Sequence, residues 1–308
     1  MTVVPHAERL ARARAALEGL SVGDAFGQRL FVPVPILERI VETRKLPGPP
    51  WYFTDDTNMA LSVVYVLRRF RGIDQDRLAH SFAEHYDRSR GYDMAMRSLL
   101  PAIRQGASWR TIARTLFGRQ GSYGNGAAMC AAPIGAYFAD DMAAAVKNAR
   151  LSAEVTHTHP EAVAGAVAVS AATALAWQLR ERNPRPIRRK FLSQILPLVP
   201  LSKVRDGIQR AHDLPPGTSA ENAVAMLGNG SRATAQDTVP FTLWCAGEQL
   251  DNYEEAIWLT VSGQGDMDTT CAIVGGIVTM FTGPEHIPAQ WRASREPLPD
   301  WPFEDGAA

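Results

Sequence analysis

The chain has little of what would mark it as secreted, membrane-spanning or nucleic-acid-binding. Cysteine is scarce, with only Cys130, Cys245 and Cys271 in 308 residues. They are too few and too scattered for a disulfide framework or a thiolate zinc site, so a reducing cytoplasm is the expected setting. An excess of one charge is also missing. The 32 basic and 32 acidic residues cancel, so no global field points to nucleic acid or to a membrane surface, and neither is an expected partner. No stretch reaches the roughly 18 uninterrupted apolar residues of a membrane span. The most apolar run, Gly165 to Trp177, is short and rich in small residues, and reads as a helix buried among helices. The opening MTVVPHAERLARARAALEGL has neither a long apolar core nor a small-residue cleavage pattern, so no signal peptide is expected. Alternating patterns are rare, and no internal repeat is visible.

What is present is helical spacing. Leu10, Ala13, Leu17 and Leu20 recur at steps of three and four, which predicts an amphipathic helix over 7–21. Met59, Val63, Val66, Leu67 and Phe70 form a second stripe. Further helices are predicted over 76–87, 93–104, 127–138, 142–151 and 160–179, with Pro160 at a tolerated first helical position. Pro240 is expected to open another helix in the same way, and NYEEAIWLTV and TTCAIVGGIVTMF complete the set. Residues 29–36 alternate, but two prolines limit them to an edge strand or an extended loop. Segments 45–50, 183–189 and 213–219 read as linkers, none long enough to separate domains. The expectation is therefore a single all-α domain over 1–308 with eight to a dozen helices. Residues 283–308, rich in proline and tryptophan, are expected to lie over its surface.

Two polar clusters interrupt this pattern. Thr54, Asp55 and Asp56 precede the Met59 stripe. Taken alone they read as a helix cap, because threonine and aspartate cap helices and acids complement the positive end of the dipole. Asp266, Asp268 and Thr269 stand before a second apolar helix, behind Gly263 and Gly265, which permit an unusual backbone. Acids at the mouth of a buried helix are costly unless compensated, and a shared cation compensates them. Four carboxylates and two hydroxyls make an all-oxygen set, which suits Mg²⁺ or Mn²⁺ better than zinc. A glycine-rich loop within 118–138 enters a helix, an arrangement that suits a phosphate, although such turns need no ligand. His157 and His159 stand two apart before Pro160. Capping and polar contacts account for such a pair more readily than metal ligation.

In order, GLSVGDAFG (19–27), FTDDT (53–57), GSYGNGAAM (121–129), THTHP (156–160) followed by Gly165-Ala166, and GDMDTTCAIVGG (265–276) resemble the motifs of the ADP-ribosylglycohydrolase family. The resemblance spans about 250 residues. It implies an all-α, single-domain fold with a dinuclear Mg²⁺ or Mn²⁺ site held by Thr54, Asp55, Asp56, Asp266, Asp268 and Thr269. It implies that Gly121, Ser122, Tyr123, Gly124, Asn125 and Gly126 line the pyrophosphate, with Tyr123 near the ligand and His157 approaching the phosphate or distal ribose. The implied reaction removes ADP-ribose from a modified protein side chain or small molecule, with Asp55 or Asp56 activating water or a leaving group. Two departures stand out. Several relatives carry a glutamate shortly after the opening Gly-Asp, where this chain reads Gly27-Gln28-Arg29-Leu30-Phe31. Neither Gln28 nor Phe31 can take a proton, and this leaves an ADP-ribose-binding module without turnover as the alternative. Met267 replaces a frequent threonine and is expected to point away from the ions.

Overall fold

Leu17, Leu20, Phe26 and the small residues between them bury the C-terminal half of the first helix without a break from Gly19 to Gly27, so the helix runs into the core and is longer than its apolar stripe predicts. The computed structural model describes residues 4–304. In chain order the helices are α1 (His6–Gln28), α2 (Val34–Thr43), α3 (Asp55–Phe70), α4 (Gln75–Glu84), α5 (Met94–Arg104), α6 (Trp109–Arg119), α7 (Gly126–Met129), α8 (Ala132–Tyr137) and α9 (Met142–Ala153). They continue as α10 (Pro160–Leu179), α11 (Arg188–Ile195), α12 (Lys203–Asp213), α13 (Ala220–Leu227), α14 (Ala235–Glu248), α15 (Tyr253–Ser262), α16 (Met267–Thr282) and α17 (Ala289–Ser294). Among the described residues extended pairing is confined to two isolated bridges, Trp51–Arg295 and Gly124–Thr234. The all-α expectation holds, with more helices than expected because several are a single turn or two.

The centre is α1 laid against α16. Gly19, Gly23 and Gly27 repeat every fourth residue and so share one face of α1. A Cβ on Gly23 would stand 2.2 Å from the Cys271 carbonyl oxygen, and one on Gly27 2.1 Å from that of Met267. Only glycine permits this backbone contact, which sets Asp24 of α1 close to the start of α16. Helix α10 is long and apolar enough to cross a membrane by length and composition, but it is buried on all sides as a core helix.

Several local expectations give way to tertiary structure. Residues 29–36 do not extend as a strand: Pro33 caps α2 and Pro35 sits in its first turn, where amide hydrogens have no helical partner to lose. Pro240 lies inside α14 instead of opening it. Its ring is packed against Gly207 of α12, so packing outweighs the local cost of about 3 kcal/mol. The helix expected over 127–138 breaks into α7 and α8, and Pro133 opens the second piece. The tail expected on the surface sends Trp291 into the core, where its ring stacks on Phe26 at 4.3 Å and meets Trp258 edge-on at 5.9 Å.

Candidate active site

The first acid loop leads into α3. Thr54 is the N-cap and accepts the Asp56 amide hydrogen at 3.4 Å, so capping is real. It is not the whole role, because the loop is bound to a buried carboxylate from another helix. Asp24, fully buried on α1, accepts the amide and hydroxyl hydrogens of both Thr54 and Thr57 at 2.5–3.1 Å. The Thr54 hydroxyl lies 2.8 Å from Asp24 Oδ1 and 2.9 Å from Asp56 Oδ2. One hydroxyl hydrogen cannot serve both carboxylates, so this pair is a donor short.

The second acid loop comes to the same place. The Thr269 hydroxyl of α16 donates to Asp56 Oδ2 at 3.4 Å across 213 residues of sequence. Asp268 accepts the Thr269 amide at 2.9 Å. Asp266 is the N-cap of α16 but makes no side-chain cap; its Oδ2 accepts from Asn125 Nδ2 at 2.7 Å instead. The glycine loop is thereby tied to the acids. Asp55 lies beside Gly91, whose φ of 91° belongs to the turn between α4 and α5. Met267, between the two acids, is buried among the core residues.

The electrostatics are those of crowded acids without a counter-charge. Burial, then the charge of Asp24, pushes Asp55 up to about 8. Burial pushes Asp24 up to about 6 against the hydrogen bonds that it accepts. Burial raises Asp266, and with neighbouring carboxylates holds Asp56 and Asp268 well above the usual range. Asp56 Oδ1 is buried with no hydrogen-bond partner. Among the described residues no three His, Cys, Asp or Glu side chains close as a ready-made cage. The donors that do meet are carboxylates mixed with the hydroxyls of Thr54 and Thr269. A partnerless buried oxygen within an all-oxygen set is what a hard divalent cation fits.

Gly121 (φ 76°) opens the glycine loop pressed against Thr158. Ser122 accepts the Gly124 amide at 3.2 Å. His157 is buried beneath the loop, bonded to the Thr156 hydroxyl at 2.7 Å. A Cβ on Gly126 would stand 2.7 Å from its ring, so the imidazole occupies the space that a side chain there would need. Burial lowers His157 to about 4 and keeps it neutral. His159 caps α10 by accepting the Glu161 amide at 3.1 Å, the structural role its spacing favoured. Tyr123 is exposed, with Phe117 6.0 Å away and a cavity of about 710 Å³ opening beside it.

A family model described as ADP-ribosylglycohydrolase matches residues 5–304. The chain belongs to this family. It is 27% identical to the ADP-ribosylhydrolase ARH3 of Homo sapiens over 94% of this chain and 90% of that protein. It is 25% identical to the ADP-ribosylarginine hydrolase Tri1 of Serratia proteamaculans (strain 568), over 94% of this chain and 76% of that one. A solved structure titled ADP-ribosylglycohydrolase-related protein complex shares the fold, with a TM-score of 0.63, 24% identity and 94% coverage of both chains. Membership supports a glycohydrolase acting on ADP-ribosylated substrates as a class. Within that frame, Asp24 and the 228–237 loop are parts of the site that residue spacing did not single out. Gly230 (φ 87°) presses on Asp266, and the Asn229 carbonyl accepts the Asp266 amide at 3.2 Å. The signal available was Gly228-Asn229-Gly230, a turn with no acid of its own.

Proposed function

We propose that this chain is a metal-dependent hydrolase that cleaves the glycosidic bond between ADP-ribose and a modified protein side chain or small molecule, releasing ADP-ribose. The observation that carries the reading is Asp56, buried with one oxygen unpartnered, while a hydroxyl of its own loop and one from the remote second loop meet on the other. Thr54, Asp55, Asp56, Asp266, Asp268 and Thr269 would hold two Mg²⁺ or Mn²⁺ ions. Such ions supply Lewis acidity and anchor vicinal ribose hydroxyls. Asp24 keeps the first loop in register. Of the first loop's two acids, Asp55 is the half-buried one, and it is the group at which a water proton can be held. The surrounding carboxylates favour the positive charge that develops on the sugar as its glycosidic bond breaks. The glycine loop suits the pyrophosphate, and the exposed rings of Phe117 and Tyr123 offer faces on which a base can stack. The three cysteines are buried and unpaired, in keeping with a cytoplasmic setting.

The test is incubation with ADP-ribosylated arginine, serine and threonine and with O-acetyl-ADP-ribose, with Mg²⁺ or Mn²⁺ and again with chelator. Release of ADP-ribose from at least one substrate, abolished by chelator, is expected; release from none overturns the reading. A second reading rests on Gln28 and Phe31, both exposed just beyond Asp24 where no carboxylate stands. It predicts ADP-ribose binding by calorimetry without turnover, and activity gained on Gln28→Glu.

A further inference from the structure

The residue before the first acid loop is held at both of its peptide groups by side chains from elsewhere. Phe53 donates its amide hydrogen to Glu296 Oε1 at 3.0 Å. Its carbonyl accepts from Arg90 Nη1 at 2.9 Å. Glu296 and Arg90 are themselves an ion pair, with both side chains largely buried. The Arg90 guanidinium also covers the Phe53 ring, 3.9 Å from its centroid. The next residue of the turn, Gly91, lies against Asp55 and Thr54. The tail is registered on this strand-like stretch by two further bonds: Trp51 N–H to the Ser294 carbonyl at 2.7 Å, and Glu296 N–H to the Trp51 carbonyl at 2.9 Å.

We infer that Glu296 and Arg90 are positioning residues for the first acid loop, so that the C-terminal segment sets how well Thr54, Asp55 and Asp56 hold a divalent cation. A peptide clamped at both N–H and C=O cannot rotate without breaking an ion pair that is shielded from water. Its neighbour Thr54 is clamped in turn by Asp24, which also holds Thr57, so residues 51, 53, 54 and 57 are each tied to groups outside the loop. The inference rests on the metal reading above for its consequence, but its structural content, immobilisation of residues 53–57, stands apart from any ion.

The experiment compares wild-type protein with Glu296→Ala, Glu296→Gln, Arg90→Lys and Glu18→Gln. Glu18 holds the same tail through Arg295 at 3.0 Å but does not touch Phe53, so its variant separates tail anchoring from loop positioning. Mn²⁺ affinity is read by calorimetry or paramagnetic resonance, and hydrogen–deuterium exchange is read over residues 51–58 without metal. Glu296→Ala is expected to weaken Mn²⁺ binding up to about tenfold, the lower end of what loss of a direct outer partner costs, because Glu296 holds Phe53 next to the ligands rather than a ligand itself, and to speed exchange at residues 53–57. Glu296→Gln, which can still accept the Phe53 amide, should recover part of both effects, and Glu18→Gln should show neither. Unchanged affinity and exchange in Glu296→Ala overturn the inference, as do equal effects in Glu18→Gln. If wild type binds no Mn²⁺, the metal reading fails, and the exchange comparison alone decides the positioning role. Should Glu296→Ala not fold, Arg90→Lys, which loses the fork that reaches the Phe53 carbonyl, is the variant read.

Discussion

The two acid loops meet in one cluster but are held by opposite means. Thr54-Asp55-Asp56 is a regular helix start, capped by its own threonine, bound by Asp24 and closed at Phe53 by the Arg90–Glu296 pair. Asp266-Met267-Asp268 rides on an irregular turn: Gln264 and Gly265 both have positive φ, and the N-cap acid does not cap. Asp266 is instead held by Asn125 from the glycine loop. The first loop is fixed by side chains placed around ordinary backbone, and the second by unusual backbone that leaves its side chain free to reach out. Rigidity at the first therefore depends on distant residues, and at the second on glycines nearby.

The sharpest way to break this contrast is to remove one acid from each loop. On the proposed metal reading, Asp56→Ala should lower ADP-ribose release about a hundredfold or more, since loss of an outer partner of a metal ligand alone costs about ten- to hundredfold. It should also raise the melting temperature without metal, because an unpartnered buried carboxylate is gone. Asp266→Ala should lose activity without that gain, since Asp266 has a partner and its loss leaves one Asn125 amide hydrogen without an acceptor while the other keeps Thr238. Equal metal-free gains in the two variants would show that the loops are not held differently. A smaller effect tests the backbone side. Gly230→Ala forces a Cβ to within 2.6 Å of the Asp266 Cβ at a φ of 87°, and should cost about 1–3 kcal/mol. Thermal melting should reveal it, with exchange over residues 53–57 unchanged; faster exchange there would mean that the loops are mechanically one unit.

The smallest effect is in pH. Asp55, raised from 3.8 to about 8, contributes stability that is complete below its unfolded value and lost as pH rises through about 8. Asp24, raised to about 6, follows the same sign at lower pH. His157, lowered from 6.5 to about 4, has the opposite sign, its contribution being lost as pH falls from 6.5 towards 4. Between about pH 6.5 and 8 only the acids act, so the metal-free melting temperature should fall by a few degrees across that window. Mg²⁺ or Mn²⁺ should flatten the slope by supplying the missing positive charge. A metal-free curve that is flat or rising there would contradict the crowded-acid account.

Where sequence and structure agree, the signal was local. Helix α10 begins and ends at the expected residues because Pro160 marks its start and the apolar run fixes its length. Pro240 carries the same local signal and misleads, because the Gly207 surface of α12 tolerates it inside a helix. The acids and threonines of the site were legible as two helix starts with more charge than a cap requires. Asp24 was visible only as part of the opening motif at 19–27; its role was not, since within a helix of small and apolar residues nothing marks its partners 30 and 33 positions away. Glu296 was hidden for the same reason at greater range: its partner Arg90 is 206 residues off, and the intervening chain holds no pattern that links them. Contacts of that kind are made by the fold and are visible only in it.

The contact of α1 with α16 has a consequence in time. A chain is made from its amino end, so Asp24 and its row of glycines emerge early and their partners at 267–279 only about 250 residues later. Until then α1 presents a bare face with nothing to cover it, and domains of this topology pass through states that need protection from aggregation. A product that stops before Met267 has the first acid loop and no second. One that stops before Glu296 has both, with the first unclamped. The clamp on the first acid loop therefore closes only after residue 296 has been made, long after the loop itself.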